Sequence, residues 1–190
     1  PDQINLAVSE GIANLEIGGR NLLYNSAFNN GLDGWAHNGT STIELTPEGY
    51  LKNTFTEARS TPGIRLLYNK LNLEKGTYTL TLKVDTSNLA SIAFFRMYLI
   101  GDSSGSFYID IPRTNGMEIV SVTFDIPEDR KNDTFYILTN DRLTVGDFIV
   151  YDWLVLMRGN KRVSDWTPAV EDIDHQFSVI TQTIDSITTR

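Results

Sequence analysis

Alternation of polar and apolar residues with a period of two dominates the middle of this chain. It is clearest in residues 77–84, where threonine and lysine alternate with tyrosine, leucine and valine. Because successive side chains of a β-strand point to opposite faces, the pattern predicts a strand with one buried face. Residues 107–111 and 120–126 repeat the alternation, and each run stops at a proline, Pro112 and Pro127.

Further strand-like runs follow the same rule and are separated by turns rich in Gly, Pro and Asn. They are predicted at residues 42–46, 50–55, 63–68, 91–100, 134–139 and 147–157. No segment between them fits a crossover helix, and many short strands joined by turns are typical of a sandwich or jelly roll. The sequence therefore predicts an all-β protein, an antiparallel β-sandwich (jelly roll) over residues 18–166, flanked by N- and C-terminal helical coiled-coil segments.

Composition excludes several classes of function. The chain has 190 residues, a net charge of −8 and no run of Lys or Arg, so neither nucleic acid nor an anionic membrane surface is an expected partner. It contains no cysteine, which excludes disulfides and thiolate metal sites. No apolar run approaches the ~18 residues of a membrane span, so membrane insertion is not expected.

The C-terminal residues have a different periodicity. Apolar residues recur at spacings of three and four, at Val170, Ile173, Phe177, Ile180, Ile184 and Ile187. This a/d seam predicts a coiled-coil helix over residues 167–190, with Thr167 as N-cap and Pro168 at the first helical position. Isoleucine at both a and d favours more than two strands, so a homo-oligomer, a trimer, is expected. The alternative is a helix packed against its own sandwich.

The N-terminal residues 1–17 show a weaker helical spacing. Ile4, Val8, Ile12 and Leu15 lie roughly one helical turn apart, and Gly18-Gly19 would end such a helix. This predicts a second helical or coiled-coil segment over residues 1–17.

No set of residues suggests catalysis. The two histidines, His37 and His175, lie in a Gly/Asn-rich loop and outside the a/d seam, and neither belongs to a recognisable triad. A glycan-degrading enzyme would need two paired carboxylates, and the 24 acidic residues are scattered over many segments. The sequence predicts no catalytic residue and no enzyme.

Strand parity separates core side chains from surface side chains. In residues 93–99 the apolar set expected in the core is Ala93, Phe95, Met97 and Leu99, while Phe94, Arg96 and Tyr98 oppose it. Arg65 is likewise expected to point outward between two apolar residues, and Tyr50 shares one face of its strand with Lys52. Faces with Tyr and Arg suit sugar binding, but such residues are also common on a solvated sheet.

Trp35 follows a glycine turn, and Trp166 precedes Thr167-Pro168. A tryptophan at such a turn either plugs the end of the core or forms a binding platform. Trp166 is expected to cover the sandwich where the chain leaves it for the helix.

Residues 21–35 contain the pattern Asn-Leu-Leu-x-Asn-x-x-Phe, followed by a Gly-rich turn and Trp35. This resembles the opening of carbohydrate-binding modules of the family four and nine type. The segment Trp166-Thr167-Pro168-Ala169 resembles the exit of such modules in phage or prophage tail and baseplate proteins. The resemblance covers about residues 18–175.

The resemblance implies a non-catalytic module of a phage tail protein. It would bind host cell-wall or capsular polysaccharide, act in the virion outside the cell and aid host adsorption. Together with the face assignments it implies saccharide contacts from Trp35, Tyr50, Arg65, Arg96 and Tyr98. The alternative is a structural spacer of a trimeric tail fibre without a ligand.

Many modules of this type hold a structural calcium ion near the opening motif and the last strand. The positions that correspond here are Asn29, where the family has an acid, and Asp152 on the last predicted strand. The resemblance thus implies a possible structural calcium, with one charge fewer than usual.

Overall fold

The computed structural model describes residues 19–68, 70–102 and 105–188. Within these residues it contains eleven strands and one helix. The elements are β1 (Trp35–Asn38), β2 (Ser41–Leu45), β3 (Leu51–Phe55), β4 (Gly63–Leu66), β5 (Leu71–Leu73), β6 (Gly76–Asp85), β7 (Arg96–Ile100), β8 (Phe107–Asp110), β9 (Met117–Ile126), β10 (Arg130–Leu138), β11 (Phe148–Arg158) and α1 (Val170–Thr188).

The strands form two antiparallel sheets. The first has the order β1-β4-β10-β7-β8, with β5 also paired to β10, and the second has the order β2-β3-β11-β6-β9. One hydrophobic core lies between them and includes fully buried Phe55, Leu80 and Tyr151. The predicted all-β sandwich is therefore confirmed. The predicted N-terminal segment, residues 1–17, lies outside the described residues.

The faces predicted from parity agree with the structure. Ala93, Phe95, Met97 and Leu99 are all at most 5 % exposed. The alternate residues Phe94, Arg96 and Tyr98 are only partly buried and lie on the outer side of the first sheet. Period-two patterning was sufficient here because each sheet has one face on a single core.

Some strand boundaries differ from the prediction. The strand expected at 91–100 begins only at Arg96, because the preceding residues form turns that Arg113 holds. Its guanidinium donates to the carbonyl oxygens of Ala90 at 2.6 Å and Thr86 at 3.2 Å. The short strands β1 and β5 were not predicted, since four and three residues are too few to show a period.

Asn21 joins the start of the sandwich to its end. Its Oδ1 accepts hydrogen bonds from the backbone N–H groups of Leu23 and Leu156, both at 3.1 Å. Its Nδ2 donates to Ser26 Oγ at 3.0 Å and to the Thr167 carbonyl at 2.9 Å. All four bonding positions of this fully buried amide are used, so the first residue of the opening motif has a structural role.

The exit segment covers part of the second sheet's outer face. Trp166 packs there against a small cluster of buried residues, Trp153, Val155 and Met157. The indole N–H of Trp166 donates to Ser26 Oγ at 3.0 Å. This agrees with the expectation that Trp166 covers the sandwich at the exit.

Helix α1 starts later than predicted. It begins at Val170, so Thr167 is not its N-cap and Pro168 precedes the helix. Asp172 in the first turn accepts a hydrogen bond from the Ala169 backbone N–H at 2.8 Å through Oδ2, as a capping-box side chain does. Its Oδ1 accepts a bond of 2.7 Å from the Asn25 backbone N–H. Asp172, and not Thr167, therefore caps the helix, because its two carboxylate oxygens bind the Ala169 N–H at the helix start and the Asn25 N–H of the opening loop.

Most of α1 is exposed. Arg20 pairs with Glu171 at 3.0 Å, and Asn30 Nδ2 lies 3.2 Å from His175 Nε2, so polar contacts join the first turns of the helix to the sandwich. No residue of the described helix is buried, and Phe177 and Ile187 are 68 % and 67 % exposed. The seam of α1 is therefore left largely uncovered by this chain's own sandwich. Neither α1 nor any other described helical residue forms an apolar segment long enough to cross a membrane.

Candidate functional site

A row of four large side chains crosses the outer face of the first sheet. Cα partners across adjacent strands are Arg65 with Tyr136, Tyr136 with Tyr98, and Tyr98 with Tyr108. Cross-strand partners point to the same face, so these residues of β4, β10, β7 and β8 lie side by side. Strands are ~4.8 Å apart, which makes the row about 15 Å long.

Arg96 occupies the next position along β7 on the same face. Its guanidinium carbon lies 4.3 Å from the centroid of the Phe94 ring and 4.7 Å from that of Tyr108. Its Nε donates to Asp110 Oδ1 at 2.5 Å. The hydrogen bond to Asp110, and next that to Tyr98, raises the pKa of Arg96. The guanidinium is therefore fixed between two rings before any ligand binds.

We call this surface the tyrosine–arginine face and define it as Arg65, Phe94, Arg96, Tyr98, Tyr108 and Tyr136. Three of its rings are in contact, with centroids 5.4 Å apart for Tyr98 and Tyr108 and 6.4 Å apart for Phe94 and Tyr98. Tyr108 is 51 % exposed. The face therefore presents accessible ring surface together with hydroxyl and guanidinium donors, the groups that bind an amphipathic polar ligand.

The five predicted saccharide contacts do not form one site. Arg65, Arg96 and Tyr98 come together on the tyrosine–arginine face. Tyr50 directly precedes β3, which belongs to the other sheet, and it lies near Lys83 of that sheet. The two sheets present their outer faces in opposite directions, so Tyr50 cannot join the other three residues in one contact surface.

Trp35 is part of the core. It is 4 % exposed and packs edge-on against Phe28 and Phe135, with centroids 5.7 and 6.3 Å away. Its indole N–H donates to the carbonyl oxygens of Tyr24 and Asn25, both at 3.1 Å. Of the two readings left open for this residue, the structure supports the core plug, and the ring is not accessible for stacking on a sugar.

The two implied calcium ligands do not fit a calcium site by themselves. Asp152 lies on β11 and is ion-paired with Lys83 at 2.7 Å, and this bond raises the pKa of Lys83. A cation at this carboxylate would have to displace the ammonium group. Asn29 is exposed and borders the cleft beside α1. No group of three His, Cys, Asp or Glu side chains able to hold a metal occurs in the described residues. Calcium binding stays a prediction.

A cleft of about 370 Å³ lies between the opening loop and α1, away from the tyrosine–arginine face. Tyr24, Trp166 and His175 line it, and these residues hold the helix to the sandwich. His175 contacts the Tyr24 ring edge-on at 6.5 Å between centroids, and His37 lies in β1 beside the Gly39 carbonyl oxygen at 3.3 Å. Within the described residues, the side-chain contacts of the two histidines are therefore with an amide, an aromatic ring and a backbone carbonyl.

Tyr136 and Tyr108 were not among the predicted contacts. The signal for Tyr136 was present, since Phe135 and Ile137 on either side are apolar and are buried. The same parity argument, which was not applied to this strand, assigns Tyr136 to an outer face. Which strands flank β10 is a long-range property that no local pattern contains, so the row itself could not be predicted.

Comparisons at the level of sequence gave no relative. No protein-family model matches the chain, and no curated protein matches it significantly.

Solved structures with a similar fold were found. A CBM4 structure superimposes with a TM-score of 0.54 and 18 % identity over 70 % of this chain and 99 % of the other. A Clostridium thermocellum xylanase 10B fragment with CBM22-1 and GH10 modules, complexed with xylohexaose, gives a TM-score of 0.51 and 13 % identity over 80 % of this chain. The enzymatically active domain of tailspike protein 4 of bacteriophage CBA120 gives 0.51 and 10 % over 72 %.

The chain spans 30 % of the xylanase chain and 21 % of the tailspike chain, so most of each of those chains lies outside the match. The CBM4 structure, in contrast, is covered almost completely. At these identities the similarity concerns the fold, and the described part of this chain shares the β-sandwich fold of carbohydrate-binding modules.

Proposed function

We propose that this chain is a non-catalytic carbohydrate-binding module and that its tyrosine–arginine face is the binding surface. The observation that carries the proposal is the register of the first sheet, which aligns Arg65, Tyr136, Tyr98 and Tyr108 across four strands. Flat rings pack on the apolar C–H faces of sugar rings, and guanidinium groups hydrogen-bond the hydroxyls around them.

Preorganisation supports this choice of surface. Arg96 is held by Asp110 and by the rings of Phe94 and Tyr108, so little side-chain entropy is lost when a ligand binds. The fold shared with a CBM4 structure and with a xylanase fragment that contains CBM22-1 and was solved with xylohexaose is consistent with the same class of ligand.

The test is binding of the full chain to a panel of insoluble bacterial wall and capsular polysaccharides, measured by pull-down. The double variant Arg96→Ala/Tyr98→Ala is expected to lose binding while keeping the circular dichroism spectrum of the parent. The matched control is Lys52→Ala, which removes a cation 4.4 Å above the Phe148 ring on the opposite sheet and is expected to bind normally. If the folded parent bound no polysaccharide of the panel, the structural spacer would be favoured instead.

The same proposal includes self-association through α1. The seam residues Val170, Ile173, Phe177, Ile180, Ile184 and Ile187 are between 43 % and 68 % exposed. Such a helix of 19 residues is marginal alone, and each large apolar side chain that another copy buries contributes about 1.5–3 kcal/mol. The partner that the heptad spacing fits is another copy of this chain, in a three-stranded coiled coil because isoleucine dominates a and d.

Trimer display would turn one weak site into an avid one, since three faces on one stalk bind a polymeric ligand together. We place this assembly on a phage tail, where it would bind host cell-wall or capsular polysaccharide and aid adsorption. The fold shared with a phage tailspike domain is compatible with that location. Labelling of virion tails by an antibody against residues 19–188 is the check, and unlabelled virions would contradict the location without touching saccharide binding.

A further inference from the structure

The charge on the tyrosine–arginine face is opposite in sign to that of the whole chain. The chain carries −8, whereas the register places Arg65, Arg96 and Asp110 as the charged strand residues on this face within the described part. Arg96 and Asp110 neutralise each other across 2.5 Å. The net charge of the described face is therefore set by cations without an acidic partner.

Arg65 is the first of these cations. Among residues 19–68, 70–102 and 105–188, no carboxylate forms an ion pair with Arg65 within 4 Å. Its Nε is buried and has no hydrogen-bond partner, while the residue as a whole is partly exposed. Because this Nε is buried, an anionic ligand would be bound by the two Nη groups, whose planar arrangement matches carboxylate and phosphate groups in two-pronged geometry.

Lys70 is the second cation beside the tyrosine–arginine face. Its ammonium group donates a short hydrogen bond to Thr134 Oγ1, a neutral acceptor. Thr134 lies two residues before Tyr136 in β10, so both side chains are on the outer face. Glu171 lines the same cleft as Lys70 but is engaged by Arg20 at 3.0 Å. Both cations are thus close to Tyr136. Arg65 is its cross-strand partner, and Lys70 binds Thr134, its neighbour on the same face of β10.

We propose that the tyrosine–arginine face selects anionic glycans, whose sugar units carry carboxylate or phosphate groups, over neutral ones. This rests on the proposed saccharide binding. The aromatic rings would hold the sugar, Arg65 would bind one acid group through two N–H donors, and Lys70 would supply a second positive charge. Because the rest of the chain is acidic and charges are screened beyond about 8 Å at physiological salt, the selection is a local contact and not long-range attraction.

A matched pair of polymers tests the selection. Polygalacturonic acid and its methyl ester share one backbone and differ in charge, and the full chain is titrated with each. The acid is expected to bind at least about 10-fold more tightly, the usual gain of a charge-assisted over a neutral hydrogen bond. That advantage should shrink in about 1 M salt, where the screening length of about 3 Å is close to the length of the contact itself. A glycerol-phosphate polymer in a parallel arm separates phosphate from carboxylate as the preferred anion.

Three variants test which residues cause the preference for the acidic polymer. Arg65→Gln and Lys70→Gln are each expected to reduce the preference for the acid, and Lys70 is exposed, so its replacement leaves the fold intact. Lys52→Gln on the opposite sheet is the control and is expected to keep the preference.

Each result has a distinct meaning. Equal binding of acid and ester, abolished in both cases by Tyr98→Ala, would overturn the selection and leave saccharide binding in place. A preference for acid that survives both Arg65→Gln and Lys70→Gln would overturn it as well. No binding to any polymer would overturn both proposals.

Discussion

Arg96 Nε donates a hydrogen bond of 2.5 Å to Asp110 Oδ1 on the neighbouring strand, where the Asp110 side chain is 70 % exposed. Exposed ion pairs are worth about 0–1 kcal/mol of folding stability, so this pair orders the surface without holding the sandwich together. Arg130 and Asp133 form a pair of the same chemistry with side chains only 5 % and 0 % exposed.

The two pairs predict stability losses of different size. Asp110→Ala is expected to lower the free energy of unfolding by less than about 1 kcal/mol, because water solvates the freed guanidinium. Asp133→Ala is expected to lower it by about 3–5 kcal/mol, because it leaves Arg130 buried without its counter-ion. Urea denaturation of both variants measures the difference. Equal losses would contradict the burial assigned to the second pair.

Asn21 is expected to be the most sensitive polar residue of the opening motif. Asn21→Ala removes four hydrogen bonds from a fully buried position, and at about 0.5–1.5 kcal/mol each the loss is on the order of 2–6 kcal/mol. Thermal unfolding checks this. Asn29→Ala, at an exposed position of the same loop, is the matched control and is expected to leave the melting temperature unchanged in the absence of calcium.

Asp172 joins the helix to the sandwich. Asp172→Ala loses both the cap of Ala169 and the bond to Asn25, and a cap alone is worth about 0.5–2 kcal/mol. Circular dichroism at the helix band is expected to fall and the melting temperature to drop. Asp174→Ala, two residues further along the exposed helix, keeps both bonds and serves as control. Identical behaviour of the two variants would show that the clamp is not made in solution.

The seam of α1 is tested by oligomeric state. Ile180→Asp places a charge on the seam and is expected to convert the proposed trimer to monomer in sedimentation velocity, since burying an unpaired carboxylate is unfavourable. Gln182→Asp adds the same charge on the opposite side of the helix and is expected to stay trimeric. If the parent chain sediments as a monomer at micromolar concentration, the seam does not associate by itself.

Parity of polar and apolar residues was enough to predict the sandwich and the outward direction of Arg65, Arg96 and Tyr98. It was not enough to predict which outward residues meet. Tyr50 and Tyr98 have equivalent local patterns, yet their strands belong to different sheets. Strand order depends on contacts between residues far apart in sequence, and the polar–apolar alternation within one strand is the same whichever strands flank it.

The expectation that Trp35 contacts saccharide failed for a different reason. Trp35 follows a glycine turn, which fits either a platform or a plug, and burial decides between them. Gly34 has φ of +81°, and a Cβ there would lie 2.9 Å from the Tyr24 ring, so this tight turn delivers the indole to the core. Asn25 of the motif is used in hydrogen bonds within the loop. Asn25 Nδ2, for example, donates to the Asp33 carbonyl at 2.9 Å.

The most direct test of the central claim compares two tyrosines on opposite sheets. Isothermal titration with a saccharide that the parent chain binds is carried out on Tyr98→Ala and Tyr50→Ala. The account predicts that Tyr98→Ala weakens binding by about 10-fold or more, as expected for an aromatic residue central to a contact surface, while Tyr50→Ala binds like the parent. Parent-like affinity of folded Tyr98→Ala, or a loss confined to Tyr50→Ala, would contradict it and move the site to the other sheet.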